Sequence, residues 1–194
     1  MSSIELQTQK FPKKVTTKAG LKLTLRPLKK DDEKAFHEFF QAIPEQERMF
    51  IKHRVQDPEV IRGFCQNIDY GRNLPLLAIA DGKIIGDATL HQQLGGWKRH
   101  VGRVSVLIHP KYRGQGLGRL LVEEICDVAR NLGLERAEAE FLGEQTAGMK
   151  VFAMVGFSQL FKLEDHVKDM QAINHDYVMM AMDLKTDEEY ASAG

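Results

Sequence analysis

Ten residues can do chemistry by type and spacing: His109-Pro110-Lys111-Tyr112-Arg113-Gly114-Gln115-Gly116-Leu117-Gly118. Glycines at 114, 116 and 118 leave no Cβ to block a ligand and admit backbone angles other residues avoid. Leu117, Leu120, Leu121, Ile125, Val128 and Leu132 follow at helical spacing, with Arg119, Glu123, Asp127 and Arg130 on the other face. A helix beginning here has first N–H groups without internal partners and a dipole that favours negative charge. The chemistry implied is anion binding, of a phosphate or pyrophosphate.

Two familiar phosphate loops are excluded. A P-loop ends in Gly-Lys-Ser/Thr, whereas Gly118 is followed by Arg119-Leu120. A dinucleotide fingerprint needs Gly-x-Gly-x-x-Gly, and the spacing here is Gly-x-Gly-x-Gly. The pattern that fits is Arg-x-x-Gly-x-Gly, as Arg113, Gly116 and Gly118.

Positioning this loop requires a strand before it and the amphipathic helix after it. Residues 104–108, Val-Ser-Val-Leu-Ile, read as a buried strand, and Gly133 stops the helix. Upstream, residues 13–28 read as a hairpin turning at Lys18-Ala19-Gly20. Asp31 or Asp32 caps a helix carrying Phe36, Phe39 and Phe40, residues best read as core. Pro44 interrupts, residues 45–53 form a short helical piece, and Asp57-Pro58-Glu59 opens another helix. Residues 74–80 and 83–90 make a hairpin about Asp81-Gly82. Trp97 lies in a loop, shielding a ligand or packing on a rim. Beyond the central helix come strand 137–142, helix 147–155 ended by Gly156, and strands 157–163 and 176–184. Residues 1–10 are polar and expected to be loose. This order suits a mixed α/β fold with helices on both faces of a twisted sheet.

The chain resembles the GNAT superfamily of N-acetyltransferases, through the Arg-x-x-Gly-x-Gly loop and through Gly156-Phe157, which closes that superfamily's end signature. Gln145 stands where the signature has Asn, and Phe152 where it has Tyr. Within the superfamily it is most similar to the acetyltransferase domain of bacterial protein lysine acetyltransferases. Leu25-Arg26-Pro27-Leu28, Asp31-Asp32, Phe39-Phe40 and Glu140-Phe141-Leu142-Gly143-Glu144-Gln145 carry that likeness. The resemblance implies a GNAT fold with a mostly antiparallel mixed sheet over residues 21–184. Residues 1–20 would then be an extension with a first hairpin strand, and residues 185–194 a flexible acidic tail.

It also implies acetyl-CoA as co-substrate and direct attack by a primary amine of a protein lysine or small molecule. Pyrophosphate would lie on Arg113, Gly114, Gln115, Gly116, Leu117 and Gly118, and pantetheine along Val106, Leu107 and Ile108, with Gln145 and Phe152 alongside. No carboxylate occupies residues 101–105, and Phe152 cannot donate a proton. The candidates for proton handling are therefore Glu144 and Glu140, then His91, His175 and Tyr177, each with a structural reading beside it; a solvent path is equally tenable. The alternative is a catalytically silent acyl-CoA-binding sensor or regulatory module.

Composition sets the remaining bounds. One domain is expected at 194 residues, and 27 Lys and Arg balance 27 Asp and Glu, which argues against nucleic-acid binding. Cys65 and Cys126 lack metal-type spacing, so no metal is expected and both thiols are read as reduced and packed. No apolar run of signal or spanning length occurs, giving the expectation of a cytoplasmic protein without membrane partners. A homodimer is compatible with the resemblance.

Overall fold

The computed structural model describes residues 3–185. The elements are α1 (Ser3–Thr8), β1 (Lys13–Thr16), β2 (Lys22–Pro27), α2 (Glu33–Gln41), α3 (Glu45–Arg48), α4 (Pro58–Gln66), β3 (Asn73–Ala80), β4 (Lys83–Gln92) and β5 (Val101–Ile108). Then come α5 (Leu117–Asn131), β6 (Arg136–Leu142), α6 (Thr146–Val155), β7 (Ser158–Lys168) and β8 (Asn174–Asp183). The strands form one sheet in the order β1-β2-β3-β4-β5-β6-β8-β7. Every neighbouring pair is antiparallel except β5 and β6, which run parallel. This is the mixed α/β architecture expected.

Local chemistry explains the connections. Asp81 and Gly82 both have positive φ, 49° and 73°, as a two-residue hairpin with right-handed strand twist requires. Asp57 accepts from the Glu59 backbone N–H at 2.9 Å and Pro58 fills the first helical position, so α4 starts where its cap is. Asp32 caps differently from the expectation. It makes no side-chain bond to α2; instead it takes both arms of the Arg26 guanidinium at 2.6 Å and the Lys29 N–H at 2.7 Å. A buried carboxylate gains more from a bidentate cation than from a helix amide.

Two apolar layers sandwich the sheet. On one face Leu117, Leu121 and Ile125 of α5 pack on Leu76, Leu90 and Val104. On the other, Phe36, Phe39 and Phe40 of α2 and Ile61 and Cys65 of α4 cover Leu77 and Ile84. Each such leucine or phenylalanine contributes about 1.5–3 kcal/mol on burial. The face on α5 comes very close: a Cβ on Gly86 would lie 2.8 Å from a Leu121 methyl. Burial pushes the Cys65 thiol up to about 11 and the Cys126 thiol up to about 12, leaving both unreactive near neutrality.

Several expectations need correction. Residues 3–8 are helical rather than loose, because Ile4 packs on the core and Gln7 is buried. The piece expected over 45–53 is helical only in α3. Residues 105–108 are not buried; Ser105 is exposed and Val106, Leu107 and Ile108 are half-buried. Trp97 is 95% exposed and does not pack on a rim. β7 runs on to Lys168, so the long connection read after residue 163 shrinks to residues 169–173. The acidic tail at 186–194 lies outside the described residues.

Candidate active site

β5 leads into a 3₁₀ turn over Pro110–Tyr112 and then into α5. His109 accepts from the Lys111 N–H, and Arg113 N–H donates to the Pro110 carbonyl at 3.3 Å. Gly114 and Gly116 have φ of 73° and 78°, angles costly for other residues, and Gly116 serves as the N-cap of α5 without a side chain. Among the described residues, the amides of Gly114 to Gly118 find no backbone acceptor. The Arg113 amide, by contrast, is already used. Unpartnered N–H groups at a helix N-terminus favour negative charge.

The second component is a gap in the sheet. β5 and β6 pair only over Val101–Arg103 and Arg136–Glu138. Beyond that, β5 keeps β4 as its neighbour and β6 keeps β8, so the facing edges diverge into a slot. Val106, Leu107 and Ile108 form one side of it. At the end of the other side, Gln145 Oε1 accepts from Leu142 N–H at 2.8 Å, and Gly143 N–H donates to the Asp176 carbonyl. Phe152 is only 3% exposed and packs edge-on against Phe141 and Phe157, below the slot.

Arg113 does not stand free. Its two terminal nitrogens donate to both oxygens of Glu47 at 2.8 and 2.7 Å, and it also reaches the Ile108 carbonyl. One carboxylate just beyond the centre of α3 thus occupies the cation of this turn.

On the α2–α4 face, Glu140 gathers donors from three other segments. Lys52 Nζ contacts Oε2, Arg103 donates at 3.3 Å and the Tyr177 hydroxyl at 3.1 Å. Burial raises the Glu140 carboxyl, but the Lys52 and Arg103 cations and the Tyr177 bond outweigh it and hold it below the usual range. Tyr177 is pushed up to about 12 by burial and by Glu140. A carboxylate so held accepts protons poorly. Glu144 is exposed and bonded to His175 Nδ1 at 2.9 Å, while His175 Nε2 reaches Asp169 at 3.1 Å. The His175 bond lowers Glu144, and the two carboxylates raise His175.

His91 lies closer to the slot. Its Nδ1 is 2.7 Å from Asn73 Oδ1 and its Nε2 3.2 Å from Ser105 Oγ. Burial first, then the charges of Arg103 and Lys52, push it down to about 4, so it is neutral. Lys52, Asn73, Ser105 and Asp87 were not singled out in the sequence. Asp87, Thr89 and His91 alternate within an apolar strand, a signal readable as one polar face.

Residues 33–157 match the model of the acetyltransferase (GNAT) family. Over 77 residues the chain is 31% identical to an L-amino acid N-acyltransferase of Escherichia coli, an overlap of 37% of this chain and 45% of that protein. Over 57 residues it is 40% identical to glucosamine 6-phosphate N-acetyltransferase of Trypanosoma brucei brucei, covering 27% and 37%. The chain thus spans less than half the length of these curated relatives. In structure it is similar to the GNAT domain of S. lividans PAT, with a TM-score of 0.74 and 22% identity over 88% of this chain and 96% of that one. It is also similar to a Salmonella typhimurium protein solved with its cofactor acetyl-CoA, with a TM-score of 0.71 and 20% identity over 84% and 95%. At these identities the structural likeness is one of fold. Among the described residues no helix is long and apolar enough to cross a membrane.

Proposed function

The chain belongs to the acetyltransferase (GNAT) family, and from that premise we propose that it is an acetyl-CoA-dependent N-acetyltransferase acting on a primary amine. The observation that carries the reading is the slot between β5 and β6 meeting the unpartnered amides at the start of α5. The cradle suits a pyrophosphate, and the free edge of β5 at Val106, Leu107 and Ile108 suits an extended arm with amide groups. When bound, acetyl-CoA supplies the thioester carbonyl that the amine attacks. The residues then have three tasks. Gly114 to Gly118 hold negative charge through N–H groups. The β5 edge aligns the acyl end. Lys52, Arg103, Glu140 and Tyr177 order the α2–α4 side, from which the amine approaches. In this reading Glu140 organises charge rather than taking a proton, and Phe152 supports the slot by packing.

The acceptor is a protein lysine or a small amine. The curated relatives are named for an amino acid and an amino sugar phosphate, which favours testing small amines first. The test is acetyl-CoA-dependent thiol release with L-methionine sulfone, for which a Salmonella typhimurium relative 30% identical over 78 residues is named, glucosamine 6-phosphate and a lysine-containing peptide. Release above the blank with one of them supports transfer. No release with any, while acetyl-CoA still binds, overturns transfer in favour of a binding module.

The Glu47–Arg113 pair gives a further expectation. Phosphate must compete with Glu47 for the guanidinium, and a half-exposed pair of this kind is worth about 0.2–1 kcal/mol. Glu47→Gln should therefore bind acetyl-CoA about 1.5- to 5-fold more tightly by titration calorimetry. Equal or weaker binding would show that Arg113 is not a cofactor contact.

A further inference from the structure

Two aspartates are buried among the described residues, and they differ in kind. Asp32 is matched by Arg26. Asp87 has no cation. Both are 8% exposed. Asp87 pairs across the sheet with Leu77 and with Leu107, which belong to or pack against the α2–α4 layer, so its carboxyl lies in an apolar setting. Among the described residues its sole side-chain partner is the Thr89 hydroxyl, which donates at 3.1–3.2 Å to the carboxyl oxygens. A buried carboxyl with one hydroxyl for company destabilises a fold, and packing alone gives no reason for it.

The residues around it give one. Thr89 stands directly opposite Ser105 on β5. Side chains of such cross-strand partners are about 5 Å apart. Ser105 is exposed and lies on β5 beyond the last pair with β6, where the slot has opened. The Asn73 amide oxygen can only accept, so His91 carries its proton on Nδ1 and presents a bare Nε2 to the Ser105 hydroxyl. Ser105, Thr89 and Asp87 thus share one face of the sheet: Thr89 is hydrogen-bonded to Asp87, Ser105 to His91, and Ser105 and Thr89 are cross-strand neighbours without a hydrogen bond between them at rest.

We propose that Asp87 is the proton acceptor of the transfer, reached from the slot through the hydroxyls of Ser105 and Thr89. This rests on the transferase reading above. The amine nitrogen forms the C–N bond and gives one proton to the Ser105 oxygen. The Ser105 hydroxyl, rotated from His91 toward its cross-strand neighbour, passes its own proton to Thr89, and Thr89 passes its own to Asp87. The C–S bond breaks with its electron pair leaving on sulfur, and the proton on Asp87 returns to that thiolate or to solvent.

The charge environment agrees. Burial pushes the Asp87 carboxyl up to about 7, offset in part by the Thr89 bond. The surrounding elements carry His91 on its own strand, Arg103 on β5, Arg26 on β2 with its partner Asp32, Glu33, Lys34, His37 and Glu38 on α2, Glu59, Arg62 and Cys65 on α4, and Lys52 and His53 before α4; among the described residues none is hydrogen-bonded to Asp87. A base titrating near the working pH is the efficient kind.

The experiment has two arms. In the unliganded protein, infrared spectroscopy should show a protonated carboxyl band titrating near pH 7, absent in Asp87→Asn and shifted to higher pH in Thr89→Val. In turnover, using whichever of the three amines above the parent acetylates, the parent should lose kcat/KM below about pH 7. Asp87→Asn should fall by about 100-fold and lose that limb, with its thermal shift by acetyl-CoA intact. Thr89→Val and Ser105→Ala each cut the relay, so both should fall toward Asp87→Asn while keeping the infrared band, which Thr89→Val moves to higher pH. A parent without turnover on any amine overturns the transferase reading and the relay with it. An active parent whose Asp87→Asn variant keeps rate and limb overturns the relay alone.

Discussion

Gly116→Glu should abolish the stabilisation that acetyl-CoA confers while leaving a folded protein. In the parent, ligand at about 100 times its Kd adds about 2.7 kcal/mol, or roughly 5–10 °C in Tm for a domain of this size. Gly116 has φ of 78° and caps α5, so a side chain there carries backbone strain of about 1–2 kcal/mol. Its Cβ would meet no atom closer than Thr17, at 3.8 Å, so the strain is not joined by a clash. The introduced carboxylate would sit at the positive end of the helix and occupy the place of the phosphate. Thermal melts with and without acetyl-CoA decide the matter. A variant stabilised as strongly as the parent would show that the cradle is not the cofactor site.

The largest loss of stability should come from Asp32→Ala, by about 3–5 kcal/mol in urea unfolding at pH 7. The change leaves the half-buried Arg26 guanidinium without its bidentate partner and the Lys29 N–H without an acceptor. Burial pushes the Asp32 carboxyl up, but the Arg26 bond and charge and the Lys29 N–H together hold it below its ordinary 3.8. A depressed carboxylate contributes stability that is complete above the unfolded value and lost as pH falls through the folded one. The parent should therefore weaken below about pH 4, and the gap between parent and variant should narrow there. Asp32→Asn, which keeps shape and removes charge, should lie between them. A constant gap from pH 7 to pH 3 would assign the loss to packing alone.

Most strands and helices were legible because their side chains alternate or recur against strong punctuation. Asp57-Pro58, Asp81-Gly82 and Gly156 each mark a boundary that the backbone honours. The turn before α5 was legible for the same reason, since glycines at 114 and 116 serve left-handed angles. What escaped was whatever depends on pairing distant segments. Nothing local to Asp32 announces that Arg26 will claim it. Nothing local to Arg113 announces Glu47, 66 positions away. The exposure of residues 105–108 follows from the early end of the β5–β6 pairing, a property of two strands rather than one. Ser105 and Asn73 flank His91 only because β3, β4 and β5 align in register.

Trp97 is the chain's single tryptophan, and it is bathed in solvent in the folded state. An indole already surrounded by water has no apolar environment to lose on denaturation, so its emission will change little in colour as the protein unfolds. Intrinsic fluorescence is therefore a blind probe of this fold, and melting curves should be followed by circular dichroism instead. The same exposure makes the indole open to collisional quenchers, and a partner that docks over the loop at residues 93–100 would announce itself as protection from them.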